Sequence, residues 1–111
     1  MEEKLIKNVD HATPLVLKDL IQYEIGKVAS MTLSQQPGVG ITIMAFDKDE
    51  SIASHAAPGD ALVQILEGKA EITVDGVPHI LEEGQIIVMP KNISHSLKAL
   101  EKFKMLLTVV K

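Results

Sequence analysis

The sequence contains no cysteine, no arginine and no tryptophan in its 111 residues. Without cysteine there are no disulfides, thiolate nucleophiles or cysteine-ligated zinc sites, and nothing demands an oxidising compartment. All eleven cationic side chains are lysines, whereas bidentate recognition of phosphate or guanine favours arginine. One tyrosine and two phenylalanines leave few platforms for base stacking. A nucleic-acid partner is therefore not expected, nor is a site built on an arginine clamp. No apolar run approaches the roughly 20 residues of a membrane helix, so no membrane partner is expected either. The stretch Met1 to Lys7 carries Glu2, Glu3, Lys4 and Lys7 with no long apolar core after it. It does not read as a secretory signal, and a cytoplasmic location is the expectation. No serine stands in a Gly-x-Ser-x-Gly elbow, and no inward pair of carboxylates is evident, which disfavours nucleophilic and glycosidase-type hydrolases.

What is present points to an all-β domain. A hydrophobic fraction of 46% against 23% charged residues is that of a globular chain. Its length suits one domain over residues 1–111, with a core barrel at about 27–110. Turn signals recur at short spacing: Pro37-Gly38, Pro58-Gly59, Glu67-Gly68, Asp75-Gly76, Glu83-Gly84 and Pro90-Lys91-Asn92. Apolar, often β-branched runs lie between them, the pattern of a sandwich or barrel. The clearest hairpin runs from Ala70 to Leu81. Ala70, Ile72 and Val74 alternate with Glu71 and Thr73, and Asp75-Gly76 supplies the positive-φ pair of a tight turn. Further strands are expected at 27–33, 39–46, 62–66, 86–89, 94–98 and 102–110. Only Leu15 to Tyr23 reads as helical, a short N-terminal helical turn of one or two turns at most, with Leu17, Leu20 and Ile21 at i, i+3 and i+4 after Pro14.

Two stretches carry a family resemblance. The first is His55-Ala-Ala-Pro-Gly-Asp-Ala61-Leu-Val-Gln-Ile-Leu-Glu-Gly68, and the second is Gly84-Gln-Ile-Ile-Val-Met-Pro90-Lys-Asn92-Ile-Ser-His95-Ser-Leu-Lys-Ala99. In order, and around a short Asp-Gly hairpin, they resemble the two motifs of the cupin superfamily. That resemblance implies a jelly-roll (double-stranded β-helix) barrel. It also implies a metal site in which two histidines and a glutamate of the first motif join a histidine of the second. Such imidazole and carboxylate ligands suit divalent Fe, Mn, Ni, Cu or Zn. The sequence departs from the pattern at several positions. His55 and His95 occupy the outer histidine positions, but Ala57 stands at the second histidine, Ala61 at the glutamate, Ala99 at the closing asparagine and Asn92 at a glycine. The upstream glycine is also missing, with Asp49 or a neighbour in that region.

Two function classes follow. In the first, the barrel binds a small molecule in a largely apolar pocket, with His55 and His95 as polar anchors and Met44 and Met89 in the wall. In the second, it is a metal-dependent enzyme of oxygenase or isomerase type, using His55, His95 and a third ligand from Asp60 or His79. Both require imidazoles forty positions apart to converge; bound to one metal, their nitrogens should lie roughly 3 Å apart. Asp60 is one residue away from the lost glutamate, so a regular strand points it outward and a bulge near Pro58-Gly59 would be needed to turn it in. His79 shares parity with Leu81 and is either a third pocket imidazole or a residue of the hairpin rim. Met44, Met89 and Met105, with Phe46 and Phe103, either floor an apolar cavity or simply fill the core. Gln64 is out of phase with Ala61, Val63 and Ile65, which suits an interface or interstrand role over a ligand role. His11 is assigned solvent or a dimer contact. Small cupins commonly pair, so the resemblance implies a homodimer, with Leu62 to Leu66, the N-terminal segment and the C-terminal strand as candidate interface.

Overall fold

Successive apolar residues of one parity meet across two facing sheets, and this sets the architecture. The computed structural model describes residues 4–111; Met1, Glu2 and Glu3 of the Met1 to Lys7 stretch lie outside the described residues. Nine strands are formed among the described residues: β1 (Val28–Gln36), β2 (Val39–Phe46), β3 (Ser51–His55), β4 (Asp60–Glu67), β5 (Lys69–Val74), β6 (Val77–Glu82), β7 (Ile86–Met89), β8 (His95–Ala99) and β9 (Phe103–Val110). One sheet has the order β1-β2-β9-β4-β7 and the other β3-β8-β5-β6, with antiparallel pairing throughout. This is the double-stranded β-helix that the resemblance implies. No helix among the described residues is long and apolar enough to cross a membrane.

The inner faces follow the sequence alternation. Ala61, Val63 and Ile65 from β4 pack with Phe103 and Met105 from β9, and with Ala70, Ile72, Leu97 and Ala99 from the opposite sheet. Phe46 and Phe103 are fully buried and stack with centroids 4.4 Å apart. They form the barrel's solid end and are not part of the pocket wall. The Asp75-Gly76 turn adopts positive φ at both residues (50° and 79°), as a two-residue hairpin of this hand requires.

The short helical turn expected within Leu15–Tyr23 is present as a four-residue 3-10 turn, Leu17–Leu20, flanked by extended Val16 and Ile21 and lacking a side-chain cap. A helix this short has too few internal bonds to offset its nucleation cost, and its apolar residues bind the sheet instead. Leu17, Leu20 and Tyr23 pack with Ile21, Ala29, Leu33, Ile43 and Ala45 in a second core on the outer face of the five-stranded sheet. Beneath this strap Lys104 is buried, donating from Nζ to the Lys18 carbonyl at 2.6 Å and lying 5.0 Å from the centre of the Tyr23 ring. The Tyr23 hydroxyl donates to Glu67 at 2.6 Å. The element that the sequence reading does not include is β3, which carries His55.

Candidate metal and ligand site

His95 begins β8 and is 3% exposed. Its neighbours of the same parity, Leu97 and Ala99, are buried in the barrel, so the strand's pleat alone directs His95 inward. His55 reaches the same space by a different device. Ile52 pairs with Leu97 and His55 with His95, so three steps along β3 match two along β8. The extra residue is a β-bulge. Ile52 faces the cavity, and without the bulge an odd offset of three would turn His55 outward. The bulge therefore aims His55 into the barrel, directly beside His95.

The two rings meet edge to face, with centroids 4.4 Å apart and an interplanar angle of 71°. Their Nε2 atoms are 3.2 Å apart. Each Nδ1 faces a backbone carbonyl two residues upstream: His55 that of Ala53 at 3.0 Å, and His95 that of Ile93 at 3.3 Å. A carbonyl only accepts, so each Nδ1 donates to it and each ring turns its Nε2 toward the other; in a neutral ring held this way that Nε2 carries a lone pair. This arrangement of outer nitrogens on backbone carbonyls is the one that fixes tautomer and ring direction in metal-binding histidines. Burial, and secondarily the neighbouring His55, hold the His95 pKa below the ordinary value of 6.5, so its neutral form prevails at pH 7. Two lone pairs facing each other call for an electrophile between them: a proton, a hydrogen-bond donor or a metal cation.

The pair stands at one side of a cavity of about 210 Å³ lined also by Met44, Ile52, Ala57, Ala61, Met89, Leu97, Met105, Leu107 and Val109. His55 is open to solvent at the mouth, whereas His95 lies deeper. A second hollow of about 230 Å³ shares Ala57, Leu107 and Val109 with this cavity and adds Gln35, Thr42 and Lys111. The structure thus gathers His55, His95, Met44 and Met89 around one space.

Neither suggested third ligand is among them. The Asp60 carboxylate accepts the Lys91 backbone N–H at 2.8 Å and tethers the start of β4 to the turn after β7. No bulge occurs at Pro58-Gly59 to redirect it: β4 pairs regularly with β9 from Asp60 to Ile65. His79 has inward parity, paired with Ile72, but it lies on the sheet's edge strand β6 and is exposed. Among the described residues, no three His, Cys, Asp or Glu side chains are grouped to hold a metal. Ala57 and Ala61, by contrast, do line the cavity, so the two lost ligand positions are correctly placed but carry methyl groups. The sequence reading missed Ile52, Leu97, Leu107 and Val109 as wall residues; the shared parity of Leu97 with His95, and of Leu107 and Val109 with Met105, was the available signal, whereas Ile52 is out of phase with His55 and gave none.

Two sheets closed around a cavity with paired imidazoles at its mouth define a cupin-type barrel. The family model described as "Cupin domain" matches residues 42–111, and the chain belongs to that family. Among solved structures it is similar to a conserved protein of unknown function (SPY1581) from Streptococcus pyogenes, at 46% identity over 98% of this chain and 96% of that one, with a TM-score of 0.95. It is also similar to a cupin superfamily protein from Desulfitobacterium hafniense, at 32% identity over 95% and 96% of the two chains, with a TM-score of 0.90. A cupin 2 conserved barrel domain protein from Leptotrichia buccalis is 44% identical over 85% of this chain but only 46% of its own length, with a TM-score of 0.83. No curated protein matches the chain.

Proposed function

We propose that the barrel is a metal-dependent cupin in which His55 and His95 hold one transition-metal ion, leaving the remaining coordination positions open toward the cavity for a small organic molecule. The observation that carries this reading is the convergence of two Nε2 lone pairs at 3.2 Å, each ring fixed from behind by a backbone carbonyl. A single ion with metal–nitrogen bonds near 2 Å would be held by both rings across such a gap. A bound ion would supply Lewis acidity or redox capacity to whatever occupies its open positions. This chain's own part is to fix the rings, exclude bulk water with an apolar wall and admit a ligand past His55.

The test is elemental analysis of protein purified without chelator. About one transition-metal ion per chain is expected in the parent, and less than about a tenth of that in His55→Ala and in His95→Ala. Absence of metal from the parent, before and after reconstitution, would sink the reading. A second reading, a metal-free pocket that binds a small molecule through the two imidazoles, draws its support from the methyl groups at Ala57 and Ala61. It predicts a co-purifying organic ligand in metal-free protein, detectable by mass spectrometry.

The outer face of the five-stranded sheet supports pairing with a second copy. Ile86, Val88 and Val110 are each about half exposed. The register places Leu62 beside Val88 and Thr108, and Gln64 beside Ile86, so these outward side chains adjoin. Leu66, by contrast, is already covered by the N-terminal strap. An apolar patch of this kind suits a symmetric dimer contact. Sedimentation at micromolar concentration should find a dimer, and Ile86→Lys/Val88→Lys should convert it to monomer without loss of the fold. A parent that sediments as a monomer would rule this pairing out.

A further inference from the structure

The imidazoles and the methionines come from opposite walls of the cavity. His55 and His95 stand on β3 and β8 of the four-stranded sheet. Met44, Met89 and Met105 stand on β2, β7 and β9 of the five-stranded sheet, and all three line the same space. Packed sheets lie about 10 Å apart, so long side chains projecting from the two inner faces meet near the middle. Met89 pairs with Ala61, which places a thioether beside the position where the carboxylate ligand is missing. Met44 pairs with Met105, which sets a second sulfur pair on the adjoining strands.

We infer that this pocket is a site for Cu(I), bound by the two imidazoles and completed by one or more of the three facing thioethers. The inference rests on the paired-imidazole reading above and specifies its ion. Three arguments carry it. First, thioether sulfur is a soft, uncharged donor that selects Cu(I) over harder ions such as Mn(II), and Zn(II) sites are built from thiolate, imidazole and carboxylate. Second, the wall contains no carboxylate, so every donor is neutral. The cost of placing an ion in such surroundings grows with the square of its charge, which favours a monovalent over a divalent ion. Third, the imidazole spacing excludes linear two-coordinate binding, which would need the nitrogens about 4 Å apart with bonds near 2 Å. With the nitrogens 3.2 Å apart, the two imidazoles would not complete the ion's shell by themselves, and the facing thioethers would be its further donors. Methionine also serves as plain core filling, but Met105 and Met89, at 1% and 2% exposure, are accompanied at this cavity by the only two imidazoles in its wall.

The experiment is an anaerobic titration of the full chain with Cu(I), in competition with a chromophoric Cu(I) chelator, and a parallel titration with Co(II). The parent should bind one Cu(I) per chain, and X-ray absorption at the copper edge should show a sulfur shell. Selenomethionine-substituted protein, which needs no mutation, should show copper–selenium scattering instead. The Met44→Leu/Met89→Leu/Met105→Leu variant keeps side-chain volume nearly constant. It should lose the sulfur shell and bind Cu(I) at least about tenfold more weakly, with Co(II) binding changed less than about twofold. Should that variant not fold, the selenium measurement on the parent decides alone. A Cu(I) shell of nitrogen and oxygen only, with Co(II) still bound in a His55-dependent way, overturns the thioether inference and leaves the imidazole reading standing. Failure of the parent to bind either ion overturns both.

Discussion

Replacing Gly68 with alanine should abolish stable folding or cost at least about 3 kcal/mol, since a Cβ there meets the tightest contact of any glycine in the chain. Gly68 joins β4 to β5 at a φ of +88°, where an L side chain is strained. An added Cβ would also collide with the Lys102 carbonyl oxygen and come within 2.6 Å of the Phe103 Cα. Both contacts are backbone, at the start of β9 and next to the fully buried Phe103, so neither can turn aside cheaply. Gly84 separates the two causes. Its φ is +86°, yet its Cβ would meet nothing within 4 Å. Gly84→Ala therefore reports strain alone, at about 1–2 kcal/mol. Urea unfolding of the two variants checks the difference, and a Gly68→Ala midpoint no lower than that of Gly84→Ala would show that the close approach is not real.

The second large effect is a gain. Ala57→His/Ala61→Glu should raise affinity for Zn(II) or Ni(II) by about 100-fold or more and shift the pocket's preference toward divalent ions. Both alanines face the cavity that holds His55 and His95. The substitutions supply the two donors that the family pattern places there, and the glutamate offsets one unit of the ion's charge. Four-ligand zinc sites reach about 10–16 kcal/mol, or several kcal/mol per ligand, which makes 100-fold a conservative figure. Ala61 is nearly fully buried, so without metal the new carboxylate is costly, and the variant should be less stable than the parent in chelator. Competition titrations with a zinc indicator read the affinity. An unchanged value would mean that the two positions do not converge with the histidines.

Much of the barrel was legible because its strands alternate cleanly. Ala61, Val63 and Ile65 are inward and Gln64 is outward and exposed, as parity dictates. β3 was not legible, since Ser51-Ile-Ala-Ser-His55 holds a single large apolar residue and is mostly exposed. Its bulge was invisible for the same reason: a register shift is a relation between strands, not a property of either one. The convergence of His55 with His95 was reached through motif spacing, while its physical cause, one extra residue in β3, lies only in the pairing. The second core had a signal that went unused. The run Ile41-Thr-Ile-Met-Ala-Phe46 is apolar on both parities, which marks a strand covered on both faces. Ile43 and Ala45 are indeed fully buried beneath the N-terminal strap.

Because His55 and His95 are partners in one ladder, with neither on a hinge or a long loop, their separation is held by the sheet's own hydrogen bonds. On the metal reading proposed above, the strand ladder, not the ion, sets this separation. Chelation should consequently leave the barrel standing, unlike a zinc finger, whose chain collapses into order only around its ion. Uptake and release would then proceed without refolding, limited by passage beside the solvent-facing imidazole, as suits a site that exchanges its cargo.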